Sequence, residues 1–241
     1  MTAARAVLVT GTDTGVGKTL VGSAIVATLA MRGTSVGVYK PIETGCELRS
    51  GRRYGADCER LRAAAGGCQD PGSVATYLLE LPAAPLVAAR AEGVTIEIER
   101  IVRDFAAIAS AHEVTLVEGA GGLLVPITEN FTYLDLARRL EIPVLVVVGS
   151  RLGCINHALL TLSVLGAARV ACAGFVVNCI APEAERPASS SRNRETIAAF
   201  TDAHDLGLFP NVAPEQRDDY RHLARLAAGA IEKGGETLFS R

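Results

Sequence analysis

Short runs of aliphatic and β-branched residues alternate along the chain with longer stretches whose apolar positions recur every three to four residues. This alternation predicts repeated strand–helix–strand units, and therefore an α/β fold with a mostly parallel sheet flanked by helices. The segment V-L-V-V-V at 144–148 is apolar on both faces, as expected for a strand that helices cover on each side. Strands are predicted at 6–10, 35–39, 114–117, 144–148, 172–177 and 206–209.

The longer stretches are predicted to be helices, and 98–111 has the clearest pattern because its apolar positions form one stripe of a surface helix. The segment 181–192 lacks periodicity and contains two prolines, so we expect a surface excursion there rather than a domain linker. No internal repeat is visible, and residues 1–241 are expected to form a single domain. The other predicted helices are 19–31, 155–165, 192–203 and 213–231.

A glycine-rich segment follows the first predicted strand directly: it runs from Gly11 to Thr19 and reads GTDTGVGKT. Glycines let several backbone N–H groups point at one anion, the following helix adds its positive end, and Lys18 supplies a point charge. The strict pattern G-x-x-x-x-G-K-[ST] has a glycine where this chain has Thr12, but the strand–loop–helix context still predicts a phosphate cradle. We therefore expect a three-layer P-loop NTPase that binds its nucleotide through Gly15, Val16, Gly17, Lys18, Thr19 and Leu20.

An acid is expected near this loop, since a P-loop threonine commonly shares Mg²⁺ with a carboxylate at the end of a neighbouring strand. Glu118 ends the apolar run 114–117 and meets that expectation. It is followed by Gly119, Ala120 and Gly121, whose small size allows the backbone to approach phosphate groups. Asp57 is a second acid close to a predicted helix start, and taken alone it is unremarkable.

Lys40 follows the strand at 35–39 and precedes Pro41. At the carboxyl end of a strand beside the phosphate loop, it would bring a second ammonium group close to the phosphates. A Lys-Pro pair after a strand is more often a solvated strand end, so the residue type alone leaves its role open. Thr44 and Gly45 could form a substrate-binding turn just beyond it.

Composition and charge narrow the possible partners. The formal net charge is −2 and no basic block occurs, which argues against a nucleic-acid surface. No apolar run approaches the ~20 residues of a membrane span, and no signal peptide is recognisable, so we expect a cytoplasmic protein without a membrane partner. The six cysteines form no C-x-x-C pair and are expected to be small buried apolar residues.

Five segments together resemble the dethiobiotin synthetase family: GTDTGVGKT at 11–19, YKPIETG at 39–45, VEGAGG at 117–122, GSRLGCINHA at 149–158 and GFVVN at 174–178. They occur in the family's order, and GTDT-x-VGKT is that family's form of the phosphate loop. The resemblance implies an ATP- and Mg²⁺-dependent enzyme that carboxylates the diamine 7,8-diaminononanoate with CO₂ and closes the ring of dethiobiotin. It also implies a homodimer whose two sites lie at the interface.

The resemblance also implies roles for individual residues. Lys40 and Lys18 would be catalytic, and Thr19, Asp57 and Glu118 would hold Mg²⁺. The substrate would be bound by Thr14 and Thr44 and, across the dimer interface, by Gly153, Cys154, Ile155 and Asn156. The nucleotide would also contact Gly119, Ala120, Gly121, Asn178, Cys179, Pro210, Asn211, Val212 and Glu215, with Asn178 reading the adenine edge and Glu215 the ribose.

Two other P-loop classes fit the sequence less well. Amidoligases that act on cobyrinate-like substrates with glutamine need a further amidotransferase domain, for which this chain has no room. Partition and septum-placement ATPases carry a lysine early in the loop, in the pattern K-G-G-x-G-K-T, where this chain has Asp13. Their membrane-binding forms also use a basic amphipathic C-terminal helix, whereas acidic residues offset the basic ones in this tail.

Overall fold

The computed structural model describes residues 5–181, 190–234 and 238, and it centres on one six-stranded parallel sheet. In spatial order the strands are β12-β11-β10-β1-β7-β2, so the strand before the phosphate loop lies inside the sheet. All six predicted strands are confirmed. The sheet strands are β1 (Ala6–Gly11), β2 (Val36–Tyr39), β7 (Val114–Gly122), β10 (Val144–Gly149), β11 (Cys172–Asn178) and β12 (Asp205–Phe209).

Among residues 5–181, 190–234 and 238, six short strands form three small pairs outside this sheet, and the sequence pattern did not predict them. One pair is parallel and two are antiparallel. They are β3 (Ile42–Thr44) with β6 (Tyr77–Leu79), β4 (Glu47–Arg49) with β5 (Arg52–Tyr54), and β8 (Pro126–Thr128) with β9 (Phe131–Thr132).

Helices cover both faces of the sheet, as predicted for a three-layer α/β/α fold. The side chains of β1 and β10 alternate between two apolar clusters, one on each face. Helices α1, α2 and α8 pack on one face, and α4, α5, α6 and α7 pack on the other. The helices are α1 (Lys18–Met31), α2 (Ala56–Ala64), α3 (Pro85–Ala91), α4 (Ile98–Ala111), α5 (Tyr133–Leu140), α6 (Cys154–Ala167), α7 (Ser190–Ala199) and α8 (Tyr220–Gly234).

The sequence analysis gave no bounds for three helices, α2, α3 and α5, although it expected a helix start near Asp57 in α2, and one predicted helix begins later than expected. The stretch predicted as a helix at 213–231 starts with a short 3-10 helix, Pro214–Gln216, and α8 begins only at Tyr220. Asp219 causes this restart, because its Oδ1 accepts a hydrogen bond from the amide of His222 in the manner of an N-cap. Most of the excursion predicted at 181–192 lies outside the described residues.

The register of the sheet sets two site residues side by side. Tyr39 at the end of β2 pairs with Val117 in β7, so the next residues, Lys40 and Glu118, lie at the same edge. Strand β7 continues to Gly122 instead of ending at the predicted boundary, and Glu118 is completely buried within it. Within the described part of the chain, no helix is long and apolar enough to cross a membrane.

Candidate active site

A cleft of about 600 Å³ opens at the carboxyl ends of β1, β2, β7 and β11, where an open parallel sheet commonly binds its ligand. It brings together residues from well-separated parts of the sequence, as predicted. The predicted site residues that line it are Thr14, Gly15, Gly17, Lys18, Thr19, Leu20, Lys40, Thr44, Asp57, Ala120, Gly121, Asn178, Cys179, Asn211 and Val212.

The phosphate loop depends on a glycine at its last turn. Gly17 has a φ of 92°, in the left-handed region, and α1 begins at the next residue. A Cβ at this position would also collide with the amide group of Asn178. The side chain of Lys18 is 8% exposed, and its Nζ donates to the carbonyl oxygen of Asp13 over 3.3 Å. Burial lowers the pKa of Lys18, so an anion in the loop would relieve an unfavourable environment.

Lys40 lies between two carboxylates. Its Nζ donates to Asp57 Oδ2 over 2.5 Å and to Glu118 Oε1 over 2.6 Å. Lys40 is 4% exposed and Glu118 is fully buried, whereas the Asp57 side chain, on the first turn of α2, is 37% exposed. Lys40 is therefore not solvated, as a lysine at the end of a strand often is. It is a buried cation in the wall of the cleft.

The pKa shifts of these groups follow from burial and mutual charge. Burial opposes the charge on Lys40, but Glu118 and Asp57 outweigh it and raise the pKa of the lysine. Burial raises the pKa of Glu118, and the charge of Lys40 offsets part of that effect. Burial also works against ionisation of Asp57, yet Lys40 brings the pKa of Asp57 below its usual value. Lys40 thus keeps its proton at neutral pH and balances the two acids.

Hydroxyl and carboxylate oxygens, the hard ligands that Mg²⁺ prefers, lie close to Lys40. Thr19 Oγ1 donates to Glu118 Oε1 over 2.8 Å, which joins the loop hydroxyl to the acid in β7. Glu118 Oε2 is buried and has no hydrogen-bond partner, so one carboxylate oxygen is free to bind a cation. Among the described residues no group of three His, Cys, Asp or Glu side chains forms a metal cage. The donors fit an ion whose remaining ligands are phosphate oxygens and water.

Asn178 lines the cleft and contacts the phosphate loop directly. Its Nδ2 donates to the carbonyl oxygen of Val16 over 2.8 Å, while its Oδ1 is buried without a partner. Asn211 lies beyond it and donates through Nδ2 to the carbonyl oxygen of Cys179 over 3.1 Å. A buried acceptor without a donor is costly, so this part of the cleft suits a ligand that carries an N–H group.

Several predicted residues support the cleft from behind or lie away from it. Val16 and Gly119 are buried, and Gly119 faces the ring of Tyr133. Pro210 and the exposed Glu215 do not line the cleft. The four predicted substrate residues at the start of α6 do not line it either, although an ion pair between Arg151 and Asp13 ties this region to the phosphate loop. These are Gly153, Cys154, Ile155 and Asn156.

The cleft also contains residues to which the sequence assigned no role. Glu43 and Arg60 bring two further charged groups, and Arg217 lies beside Val212, to whose carbonyl oxygen it donates. A proline at the first position of a helix is a recognised start signal and could have identified α3, which begins at the cleft. The residues missed are Glu43, Arg60, Pro82, Ala83, Ala84, Pro85, Val125, Ile180 and Arg217.

Solved structures with this fold include a ParA family ATPase and a cell division protein complex. A ParA family ATPase from Chlorobium tepidum TLS aligns with a TM-score of 0.53 at 14% identity, over 100% of this chain and 96% of that chain. The MinC:MinD cell division protein complex of Aquifex aeolicus aligns with a TM-score of 0.54 at 19% identity, over 95% and 93% of the two chains. At these identities the likeness concerns the P-loop NTPase fold alone.

Closer similarity is found in sequence. The family model described as an AAA domain matches residues 5–217. The ATP-dependent dethiobiotin synthetase BioD of Aromatoleum aromaticum is 40% identical over 88% of this chain and 93% of its own length. That of Anaeromyxobacter dehalogenans is 41% identical over 86% and 90%. Because such identity extends over nearly the whole of both relatives, the chain belongs to the ATP-dependent dethiobiotin synthetase family.

Proposed function

We propose that this chain carboxylates 7,8-diaminononanoate with CO₂ and closes the ureido ring of dethiobiotin at the expense of ATP. The observation that carries the proposal is the buried ammonium of Lys40, which lies between Asp57 and Glu118 in the same cleft as the phosphate loop. Family membership supports the same activity. Because the reaction consumes ATP, we also propose a cytoplasmic location.

The chemistry requires activation, since the oxygen of a carbamate is a poor leaving group. One amine adds to CO₂ and loses a proton to give a carbamate. A carbamate oxygen then attacks the γ-phosphorus of ATP, and the bond to the β,γ-bridging oxygen breaks to release ADP. The second amine attacks the carbonyl carbon of this mixed anhydride and loses a proton, and phosphate leaves with the bonding electrons.

Lys40 and Lys18 are the catalytic residues in this proposal. Negative charge spreads over the transferred phosphoryl group, and fixed cations in a water-poor cleft neutralise it better than solvent does. Lys18 would contact the β- and γ-phosphates, and Lys40 would contact the carbamate and the transferring group. The hydroxyl groups of Thr14 and Thr44, both of which line the cleft, would bind the substrate beside them.

Thr19, Asp57 and Glu118 would hold Mg²⁺ in this proposal. When bound, the ion neutralises phosphate charge and helps to orient the β- and γ-phosphates. The unpartnered Oε2 of Glu118 supports a cation at this position. Gly119, Ala120 and Gly121 follow in β7, and the exposed backbone of the last two would lie against the phosphates.

The adenine would bind at the opposite end, against Asn178. Since Nδ2 of this residue is held by the carbonyl oxygen of Val16, its free Oδ1 would accept a hydrogen bond from the adenine amino group. Glu215 is exposed close to this end and would contact the ribose. The remaining residues proposed for the base pocket are Cys179, Pro210, Asn211 and Val212.

A homodimer would complete the site. Leu152 is 95% exposed beside the start of α6, and Leu124 and Leu160, both exposed, line a second cleft of about 410 Å³ next to the phosphate loop. Exposed apolar residues gathered in one area are typical of a protein–protein contact. We propose that a second copy covers this area and that the amides of Gly153, Cys154 and Ile155, with Asn156, bind the carboxylate tail of the diamine in the partner's cleft.

The reaction is tested by measuring ADP release with purified protein, Mg²⁺-ATP, bicarbonate and 7,8-diaminononanoate, each omitted in turn. The proposal expects ADP release only when diamine and CO₂ are both present, with dethiobiotin identified by mass spectrometry. ATP hydrolysis at the same rate with and without the diamine would contradict the proposal and would favour a switch ATPase of the partition type.

The shared site is tested by mixing two variants, Lys40→Ala and Asn156→Ala, at a diamine concentration too low for either variant alone to turn over. If each cleft uses Lys40 of one subunit and Asn156 of the other, random exchange restores about a quarter of the wild-type sites. Native mass spectrometry first shows that the mixture contains the mixed dimer. If activity still does not recover, each site takes both residues from one subunit. A monomer in analytical ultracentrifugation would exclude the shared site altogether.

A further inference from the structure

Glu43 is a buried carboxylate to which neither the phosphate loop nor the family resemblance gave a role. It lies on β3, whose pairing with β6 fixes its backbone opposite Leu78, and it is only 5% exposed. A buried carboxylate is unfavourable unless hydrogen-bond donors satisfy both of its oxygens. The partners of Glu43 therefore indicate what the residue does.

Both oxygens of Glu43 bind the amino end of α2. Oε1 accepts a hydrogen bond from the amide of Asp57 over 2.9 Å, and Oε2 accepts one from the amide of Cys58 over 2.9 Å. Gly55 precedes this helix and provides no side-chain cap. Glu43, on a separate strand, therefore accepts the free amides that the residue at the start of a helix normally accepts. Its negative charge also faces the positive end of the helix.

Gly55 allows this approach. A Cβ on Gly55 would lie 2.5 Å from Glu43 Oε2 and 2.9 Å from its Cδ, distances at which one of the two groups has to shift. The glycine at this turn is therefore matched to the carboxylate that caps the helix. A substitution on either side of the contact should displace the same helix end.

The capped residue is itself a member of the site. The amide of Asp57 is held by Glu43, while its carboxylate contacts Lys40 Nζ over 2.5 Å. The Asp57 side chain is 37% exposed, so the two hydrogen bonds from Glu43 are the buried contacts that hold the backbone of this first turn. Loss of the cap would let Asp57 move relative to Glu118, which is fixed within the sheet.

We propose that Glu43 is a positioning residue: by holding the amino end of α2 it sets the distance between the carboxylates of Asp57 and Glu118, and with it the affinity of the site for a divalent cation. The inference rests on the proposed function for the metal role of Asp57. Glu43 lines the cleft, and each of its oxygens accepts a hydrogen bond from a backbone amide of α2.

The experiment measures Mn²⁺ affinity by electron paramagnetic resonance in the presence of ADP, a readout that does not depend on turnover. Glu43→Gln keeps the side-chain volume but replaces one acceptor oxygen by an NH₂ group, so one of the two amides loses its partner. We expect Mn²⁺ binding to weaken about tenfold, as is usual when a group that orients a metal ligand is altered. Affinity for ADP without metal should stay unchanged.

Glu92→Gln is the matched control. Glu92 Oε1 also accepts two backbone amides, from Glu80 and Leu81 over 2.7 and 3.0 Å, but these do not belong to α2. Mn²⁺ affinity should be unaltered in this variant. If Glu43→Gln fails to fold, Gly55→Ala disturbs the same contact from the other side and should weaken Mn²⁺ binding in the same way.

Asp57→Asn separates the two possible failures. Weak Mn²⁺ binding in both Asp57→Asn and Glu43→Gln, with normal binding in Glu92→Gln, supports the inference. Weak binding in Asp57→Asn alone overturns it and leaves the proposed function intact. Normal binding in Asp57→Asn contradicts the metal role of Asp57, and the inference falls with it. A raised KM for the diamine in Glu43→Gln with normal Mn²⁺ affinity would instead mean that Glu43 contacts the substrate.

Discussion

Replacing Lys40 with methionine removes the positive charge from the cluster while retaining most of the volume of the side chain. The ammonium is nearly inaccessible to solvent, and it contacts Glu118 Oε1 over 2.6 Å and Asp57 Oδ2 over 2.5 Å. In Lys40→Met the fully buried carboxylate of Glu118 would have only the hydroxyl of Thr19 as a hydrogen-bond donor. The variant therefore tests whether the lysine balances a buried charge.

The size of the effect follows from burial. Removing one partner of a buried ion pair costs about 3–5 kcal/mol, because the remaining charge has neither water nor a counter-ion. We take about 3 kcal/mol, the lower end, since Asp57 is 37% exposed and water can solvate it. For a chain of 241 residues this corresponds to a fall in Tm of about 6 °C.

Stability is measured by urea unfolding without nucleotide or metal, and Arg90→Met is the control. Arg90 contacts Glu129 over 2.6 Å, a distance that also separates Lys40 and Glu118, but both partners are largely exposed. Its loss should cost about 0–1 kcal/mol. Equal stability of Lys40→Met and wild type would refute the reasoning. So would a double variant, Lys40→Met with Glu118→Gln, that is no more stable than Lys40→Met alone.

The pH dependence gives a second check on the same variant. Burial raises the pKa of Glu118 in the folded state, and loss of Lys40 removes the main group that opposes this rise. An acid with a raised folded pKa favours folding at low pH, and that contribution is lost as pH increases through the folded pKa. The deficit of Lys40→Met relative to wild type should therefore shrink as the pH is lowered through the folded pKa of Glu118. A deficit that does not change with pH would mean that Glu118 is already protonated.

Three further predictions concern the ligands. Gly17→Ala should weaken ATP binding at least about tenfold in calorimetry, because alanine is strained at this left-handed φ and its Cβ would push on Asn178. The control is Gly33→Ala: Gly33 also has a positive φ, 86°, but an added Cβ would meet no neighbouring atom, so this variant should bind ATP normally. Asn178→Ala should reduce the preference for ATP over GTP about tenfold in competition assays, and an unchanged preference would argue against Oδ1 as the adenine acceptor. Asn156→Ala should raise the KM for the diamine more than that for ATP, whereas equal increases would point to a folding or dimer defect.

Much of the site could be predicted because it depends on the ends of neighbouring parallel strands. The phosphate loop follows β1, Lys40 follows β2 and Glu118 lies in β7, and these strands are adjacent in the sheet. Each element has a local signal in the sequence, namely a glycine-rich turn, a charged residue after an apolar run, or an apolar run itself. The parallel sheet then brings the three together without any further information.

The sequence indicates a helix start near Asp57, because Asp57 and Glu59 are acids of the first turn of α2, but it does not indicate where that helix lies relative to the sheet. Helix α5 has a local start signal, because Thr132 and Asp135 form a capping box that can be read from the sequence. The cap of α2 comes from Glu43, 14 residues before Asp57 and on a separate strand. When the capping residue is distant in sequence from the helix, no periodicity and no motif of adjacent residues reveals it. The same reason explains why Glu43 received no role: its function depends on which backbone amides the fold brings to it, and only the three-dimensional arrangement gives their identity.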